Sequence, residues 1–219
     1  MLFAAKQRLF PILVLFVAPV GANADFRAAL GPEFGFFLEN TDGASSQALF
    51  TGGTISIISV EDDAFFGFFC GFSFIVPVKL TTNTEKIDLG FYDFVLQSEL
   101  IIGPCFKFGI TDELRLNLGA GLHALYLTAS AKQNHEFYGE YKEQHQLFNL
   151  GAAAAVELNF DFSSPLYLAF GTAFTYDFCN YSYASAPSYN SGGWTQGYGL
   201  LGVKAYICVG WRFEDFGDD

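Results

Sequence analysis

The chain has 219 residues, 27 of them Phe, with aromatics at 18% against only 16% charged residues and a formal net charge of −12. That acidity argues against a nucleic-acid partner, because phosphate recognition needs a basic surface. In water, nearly all of so large an aromatic load would have to be buried.

At the start, Lys6 and Arg8 precede the apolar run Leu9 to Val20 and the small residues Ala22-Asn23-Ala24. These are the three regions of a secretory leader, expected to occupy residues 1–24 and to be cleaved after Ala24. The run is interrupted by Pro11 and Pro19 and falls short of the roughly 20 residues that cross a bilayer as a helix. Losing two basic residues takes the remaining chain, 25–219, to −14, and its length suits one domain.

After the leader the chain alternates. Phe34, Phe36 and Leu38 fall on one side of a strand, and Arg27, Gly31, Glu33 and Gly35 fall on the other. Strands are predicted near 26–39, 50–60, 65–78, 93–110, 114–130, 145–160, 166–179 and 197–213. The second is the least regular, since it carries Gly52 and Gly53, but an even strand count is what closes a sheet on itself. Short acidic turns at Glu61-Asp62-Asp63, Thr111-Asp112-Glu113 and Asp161 to Pro165 alternate with long polar stretches at 40–49, 79–92, 131–144 and 180–196. No segment after residue 24 offers a spanning helix, so a closed barrel is the remaining way to cross a membrane.

The apolar faces collect Phe66, Phe68, Phe72 and Phe74, then Leu114, Leu116 and Leu118, and finally Val203, Ile207, Val209 and Trp211. A soluble lipocalin-type calyx has the same alternation with its oily side inward. Glycine separates the two arrangements. Gly31, Gly67, Gly103, Gly119, Gly171 and Gly210 all share the charged side, where a crowded interior needs small residues beside long ones and a solvent face does not. The fold predicted is all-β, an eight-stranded antiparallel up-and-down transmembrane barrel.

On that reading Glu33, Glu99, Lys107, Arg115, His123, Glu157, Asp177, Lys204 and Arg212 form a polar network filling the lumen. Isolated charges could not stay ionised there, so they should pair. A hairpin centred on Thr111 would set Glu99 opposite His123. The four cysteines, Cys70, Cys105, Cys179 and Cys208, are scattered, with Cys70 on the apolar face and the other three on the polar one. Buried free thiols are expected, and neither a zinc site nor another metal or cofactor motif is present in the sequence. No serine stands where His123 could activate it, which argues against an enzyme. In the outer stretches His135, Phe137, Tyr138, Tyr141, Tyr181, Tyr183, Tyr189 and Trp194 have the composition of an adaptable recognition surface.

The last predicted strand, with Tyr206, Val209, Trp211 and Phe213, resembles the terminal strand read by barrel-assembly machinery. The chain from residue 25 on resembles the small eight-stranded bacterial outer-membrane proteins, the OmpA-, OmpX- and OmpW-type barrels. That resemblance implies a monomer in the outer membrane, in contact with its lipid and loaded by the assembly machinery. Its outer loops would be exposed to host or environmental ligands in a structural or surface-interaction role. Likeness to the OmpW-type members implies an alternative, passage of small hydrophobic molecules, for which Phe37, Leu125 and Leu127 are the candidate pocket.

Overall fold

The computed structural model describes residues 24–41, 44–61, 64–83, 85–135, 139–162, 165–186, 189–195 and 199–213. The expected leader therefore lies, apart from Ala24, outside the described residues. Within them the chain forms strands β1 (Ala24–Thr41), β2 (Ala44–Glu61), β3 (Phe66–Thr82), β4 (Glu85–Ile87), β5 (Tyr92–Gly109), β6 (Leu114–His135), β7 (Gly139–Asp161), β8 (Leu166–Ala186), β9 (Tyr189–Thr195) and β10 (Leu200–Phe213). A single helical turn, Leu89–Phe91, precedes β5. Every pairing is antiparallel, in the order β1-β2-β3-β5-β6-β7-β8-β10, and β10 pairs back onto β1, so eight strands close a ring. The two short strands are additions, β4 on β3 and β9 on β8.

The period-two pattern sends the oily side chains outward. Leu30, Phe34, Phe74, Val76, Leu122, Phe174, Ile207 and Val209 are exposed, Leu122 to 68%. Arg27, Glu33, Glu99, His123, Glu157, Asp177 and Lys204 are buried in the interior. A water-facing surface does not carry so broad an apolar belt, whereas a lipid-facing one must. The calyx arrangement, with its oily face inward, is thereby excluded.

The inward glycines make room for rings. A Cβ on Gly171 would fall inside the Tyr206 ring, and one on Gly210 would fall inside that of Tyr167. The sequence places these glycines and aromatics on one face, and the lumen is packed by their interdigitation.

Several expectations are corrected. The polar stretches read as long outer loops are mostly paired strand: β2 begins at Ala44 rather than 50, β6 and β7 stay in register from Leu114↔Phe160 to His135↔Gly139, and β8 pairs with β9 from Asn180↔Thr195 to Ala186↔Tyr189. Polar composition signals exposure, but a two-stranded ribbon above the ring can be solvated on both faces and still hold its ladder. The last ring strand begins at Leu200, not 197.

Glu99 does not stand opposite His123. Ile101 does, and Glu99 faces Leu125. The cause is the turn: the Thr111 hydroxyl accepts from the backbone N–H groups of Glu113 and Leu114 at 3.3 and 3.1 Å, centring the hairpin on Asp112. Moving the centre by one residue moves the register by two.

All four cysteines are free, as expected. Cys179, however, is not on the inward face. A bulge between Leu150 and Gly151 pairs Gly151 with Asp177 and Leu150 with Cys179, so Cys179 shares the outward side of the exposed Leu150.

One further irregularity positions the site. β3 and β5 pair only from Phe66↔Phe106 to Ile75↔Gln97. Beyond that, β3 pairs with β2 on one side and β4 on the other, while β5 continues on β6 alone. Pro77, two residues past the last pair, has no N–H with which to extend a ladder, and β3 bulges against Leu49/Phe50 at the same point. The ladder is interrupted along a seam between upper β3 and upper β5, beside which β4 and the Leu89–Phe91 turn lie.

Candidate functional site: a plugged lumen beneath an apolar cavity

The end of the barrel with the short turns is closed by charge. Asp161 accepts from Arg27 at 2.6 and 2.9 Å, with the Arg115 guanidinium at 3.2 Å and that of Arg212 at 3.8 Å. Arg27 also lies over the Tyr167 ring, 5.2 Å from its centroid. One layer up, the Glu157 carboxylate accepts from Ser56 Oγ at 2.7 Å and from the Tyr206 hydroxyl at 2.8 Å.

Above it runs a five-membered chain of charged and titratable groups. Lys204 Nζ lies 3.2 Å from Glu33 and 3.0 Å from Glu99. His123 lies between two carboxylates, with Nε2 at 2.8 Å from Glu99 and Nδ1 at 2.5 Å from Asp177. The Ser73 hydroxyl donates to Glu33 at 2.9 Å, and Lys204 reaches that hydroxyl at 3.3 Å. Each member is almost wholly buried, so the groups depend on one another for ionisation.

A dry apolar layer covers this chain. Phe37, Phe50, Ile75, Leu125 and Leu200 form one buried cluster, with the Phe37 and Phe50 rings stacked at 4.8 Å. Ala48, Leu127 and Leu147 pack against it and also line the space above, a cavity of about 640 Å3. That volume is within the range of small-molecule sites. Pro77 and Leu80 of β3 and Tyr92 and Val95 of β5, the two lips of the seam, line it on one side, and Tyr183, Gly193 and Trp194 of the β8–β9 ribbon line it on another. Among the described residues its ionisable wall consists of His145, which pairs with Glu143 at 3.2 Å, and the tyrosines.

No family model and no curated protein matches the chain. Solved structures do. A major outer membrane protein from Thermus thermophilus aligns over 85% of this chain and 99% of its own, with 14% identity and a TM-score of 0.54. The outer membrane protein AlkL aligns over 90% and 93%, with 12% identity and a TM-score of 0.54. OprG from Pseudomonas aeruginosa aligns over 87% and 96%, with 10% identity and a TM-score of 0.51. The chain has the fold of the small outer-membrane β-barrels.

Within this outer-membrane barrel fold, the residues expected in the lumen divide into groups. Glu33, Glu99, His123, Asp177 and Lys204 form the middle chain, Glu157 stands below it, and Arg115 and Arg212 belong to the Asp161 cluster. Lys107 lies on the inward face opposite Asn117, toward the turn end. Both ring nitrogens of His123 are met by carboxylates rather than by a serine, and Ser130 lies on the other face, opposite the exposed Phe94. Phe37 and Leu125 do not line a pocket. They are sealed into the apolar layer beneath it, and of that trio only Leu127 reaches the cavity wall. Phe37 lies four residues beyond Glu33 on β1, above the network, where its ring stacks on Phe50.

Of the expected recognition residues, Tyr183 and Trp194 line the cavity, and Trp194 packs on Tyr181 with ring centroids 5.3 Å apart. Tyr141 is half-buried on β7 opposite Gln133. His135 and Tyr189 lie in β6 and β9, while Phe137 and Tyr138 lie outside the described residues. On β10, Val209, Trp211 and Phe213 face outward, and Tyr206 turns inward onto Glu157. Asp161, Ser56, Ser73 and Tyr206 are network members that the sequence reading misses. Parity with Lys204 is the available signal for Tyr206, and parity with Glu157 and Asn159 for Asp161.

Proposed function

We propose that this barrel resides as a monomer in a bacterial outer membrane, hairpin ends outward, and conducts small apolar molecules from its upper cavity sideways through the seam into the lipid. The observation that carries this reading is the cavity itself, oily, of small-molecule size, and bounded by both lips of a break in the ladder. The exposed Phe74, Val76, Val78 and Phe94 flank the seam on the outside, which suits an exit at hydrocarbon depth. Straight passage is opposed by the apolar layer and two levels of paired charge below it. As in the resembled barrels, the outward aromatics of β10 would serve the assembly machinery.

Uptake of the dye N-phenyl-1-naphthylamine by intact cells tests the route. Cells carrying the barrel should take it up faster than cells without it, and Pro77→Val, which restores a backbone donor and lets β3 pair further with β5, should slow uptake severalfold. The refolded protein should give no stable single-channel steps in a planar bilayer. Uptake indifferent to the barrel, or large ionic steps, would sink the reading.

A second reading, contact with a foreign surface, is favoured by Trp194, 62% exposed at the outer end and braced by Tyr181. Trp194→Ala should then reduce adhesion of expressing cells to host or abiotic surfaces, and unchanged adhesion would overturn this reading.

A further inference from the structure

Gln97 is the last residue of β5 to pair with β3, opposite Ile75, so it sits in the crotch where the seam begins. It lines the cavity yet is only 6% exposed, and its carboxamide nitrogen Nε2 has no hydrogen-bond partner among the described residues. A buried donor without an acceptor carries a desolvation penalty that an acceptor brought by a ligand relieves. Around it the wall is apolar, with Val95 on the same strand and Leu127 and Ala129 across on β6. The cavity therefore presents, at the end nearest the charged network, a buried donor without a partner set among apolar neighbours.

The sign of the charge below narrows the ligand further. Glu99 follows two residues along the same face, roughly 7 Å away. Beneath the cavity floor Lys204 is shared between Glu99 and Glu33, and His123 between Glu99 and Asp177. With three carboxylates against one lysine and one histidine, an anionic head would be repelled and a neutral oxygen would not.

We propose that the cavity selects neutral, oxygen-headed apolar molecules such as ketones, aldehydes and esters, and that Gln97 Nε2 donates to the oxygen as the molecule turns from the cavity into the seam. This rests on the transport reading above and names its substrate class. The terminal torsion of a glutamine is broad, so the amide follows the oxygen without leaving its rotamer.

The test uses the full barrel in lipid nanodiscs, with methyl resonances of Leu127 and Leu147 followed by NMR during titration with 2-decanone, decane or sodium decanoate at matched mole fractions in the lipid. The ketone should perturb these methyls at about a tenfold lower mole fraction than decane, the scale of one neutral hydrogen bond, and it alone should shift the Gln97 side-chain amide. Gln97→Leu should bring the ketone to the level of decane. Gln97→Met keeps the length of the side chain without the donor and should do the same, which covers the case of a leucine variant that does not fold. Equal response to ketone and decane, a ketone preference that survives either variant, or decanoate ahead of ketone overturns this inference alone. Silence of the cavity methyls toward all three compounds overturns the transport reading and this one with it.

Discussion

The lower and upper halves of the lumen are built on the same strands and filled by different physics. Below, directional bonds tie opposite walls: β1, β5, β6, β8 and β10 supply Glu33, Glu99, His123, Asp177 and Lys204, while β7 meets β2 and β10 through Glu157, Ser56 and Tyr206. Above, Phe37, Phe50, Ile75, Leu125 and Leu200 touch without bonding, and beyond them the ladder between β3 and β5 stops. Cross-linking and closure go together, and the half of the lumen with no charged bonds across it is the half whose ladder is interrupted.

The largest break in that contrast should come from Lys204→Met. It leaves Glu33 and Glu99 buried without their cation, and the unfolding midpoint of the refolded barrel in urea should fall by an amount equivalent to about 3–5 kcal/mol. A double-mutant cycle of Lys204→Met with His123→Leu should be strongly non-additive, because both act on Glu99. Leu125→Ala in the upper layer should cost about 2–4 kcal/mol through the void it leaves, and its cycle with Lys204→Met should be more nearly additive. Asp161→Asn is expected to cost about 2–3 kcal/mol, because it strips the buried Arg27 of its carboxylate while leaving an amide oxygen to accept from it, and Arg115 and Arg212, near a quarter exposed, keep their water. Trp194→Ala should shift the midpoint by less than about 0.5 kcal/mol, because the ring is mostly exposed. A Trp194 variant that unfolds as readily as a Lys204 variant would erase the distinction between the halves.

Which side of each strand faces in is legible from the sequence, because a period of two needs only parity. Parity assigns Glu33, Glu99, His123, Asp177 and Lys204 to the lumen, and all are there. Who meets whom is less so. Register depends on turn centres, and one hydroxyl at Thr111 is enough to displace Glu99 from its expected place opposite His123. The bulge at Leu150 and Gly151 inverts parity and carries Cys179 outward, with no sequence signal beyond an ordinary glycine. The seam is invisible for a related reason. Pro77 reads as the end of a strand, whereas β3 runs on past it to Thr82 on other partners. The level at which packing gives way to cavity, which leaves Phe37 packed and Leu127 on the cavity wall, depends on side-chain lengths across the bore and has no counterpart in a linear pattern.

Pro77 has a further consequence for how a gap can persist in hydrocarbon. Every bare peptide group at membrane depth asks for a partner, and lipid offers none, so an unzipped stretch of strand is tolerated only against protein or water. A proline nitrogen, an amide without a hydrogen, asks for nothing. Placed beside the end of the β3–β5 register, it lowers the tendency of β3 to zip onto β5. Pro77 therefore leaves that lip with one fewer unpaired donor than any other residue would leave there, and the break in the ladder is cheapest where it occurs.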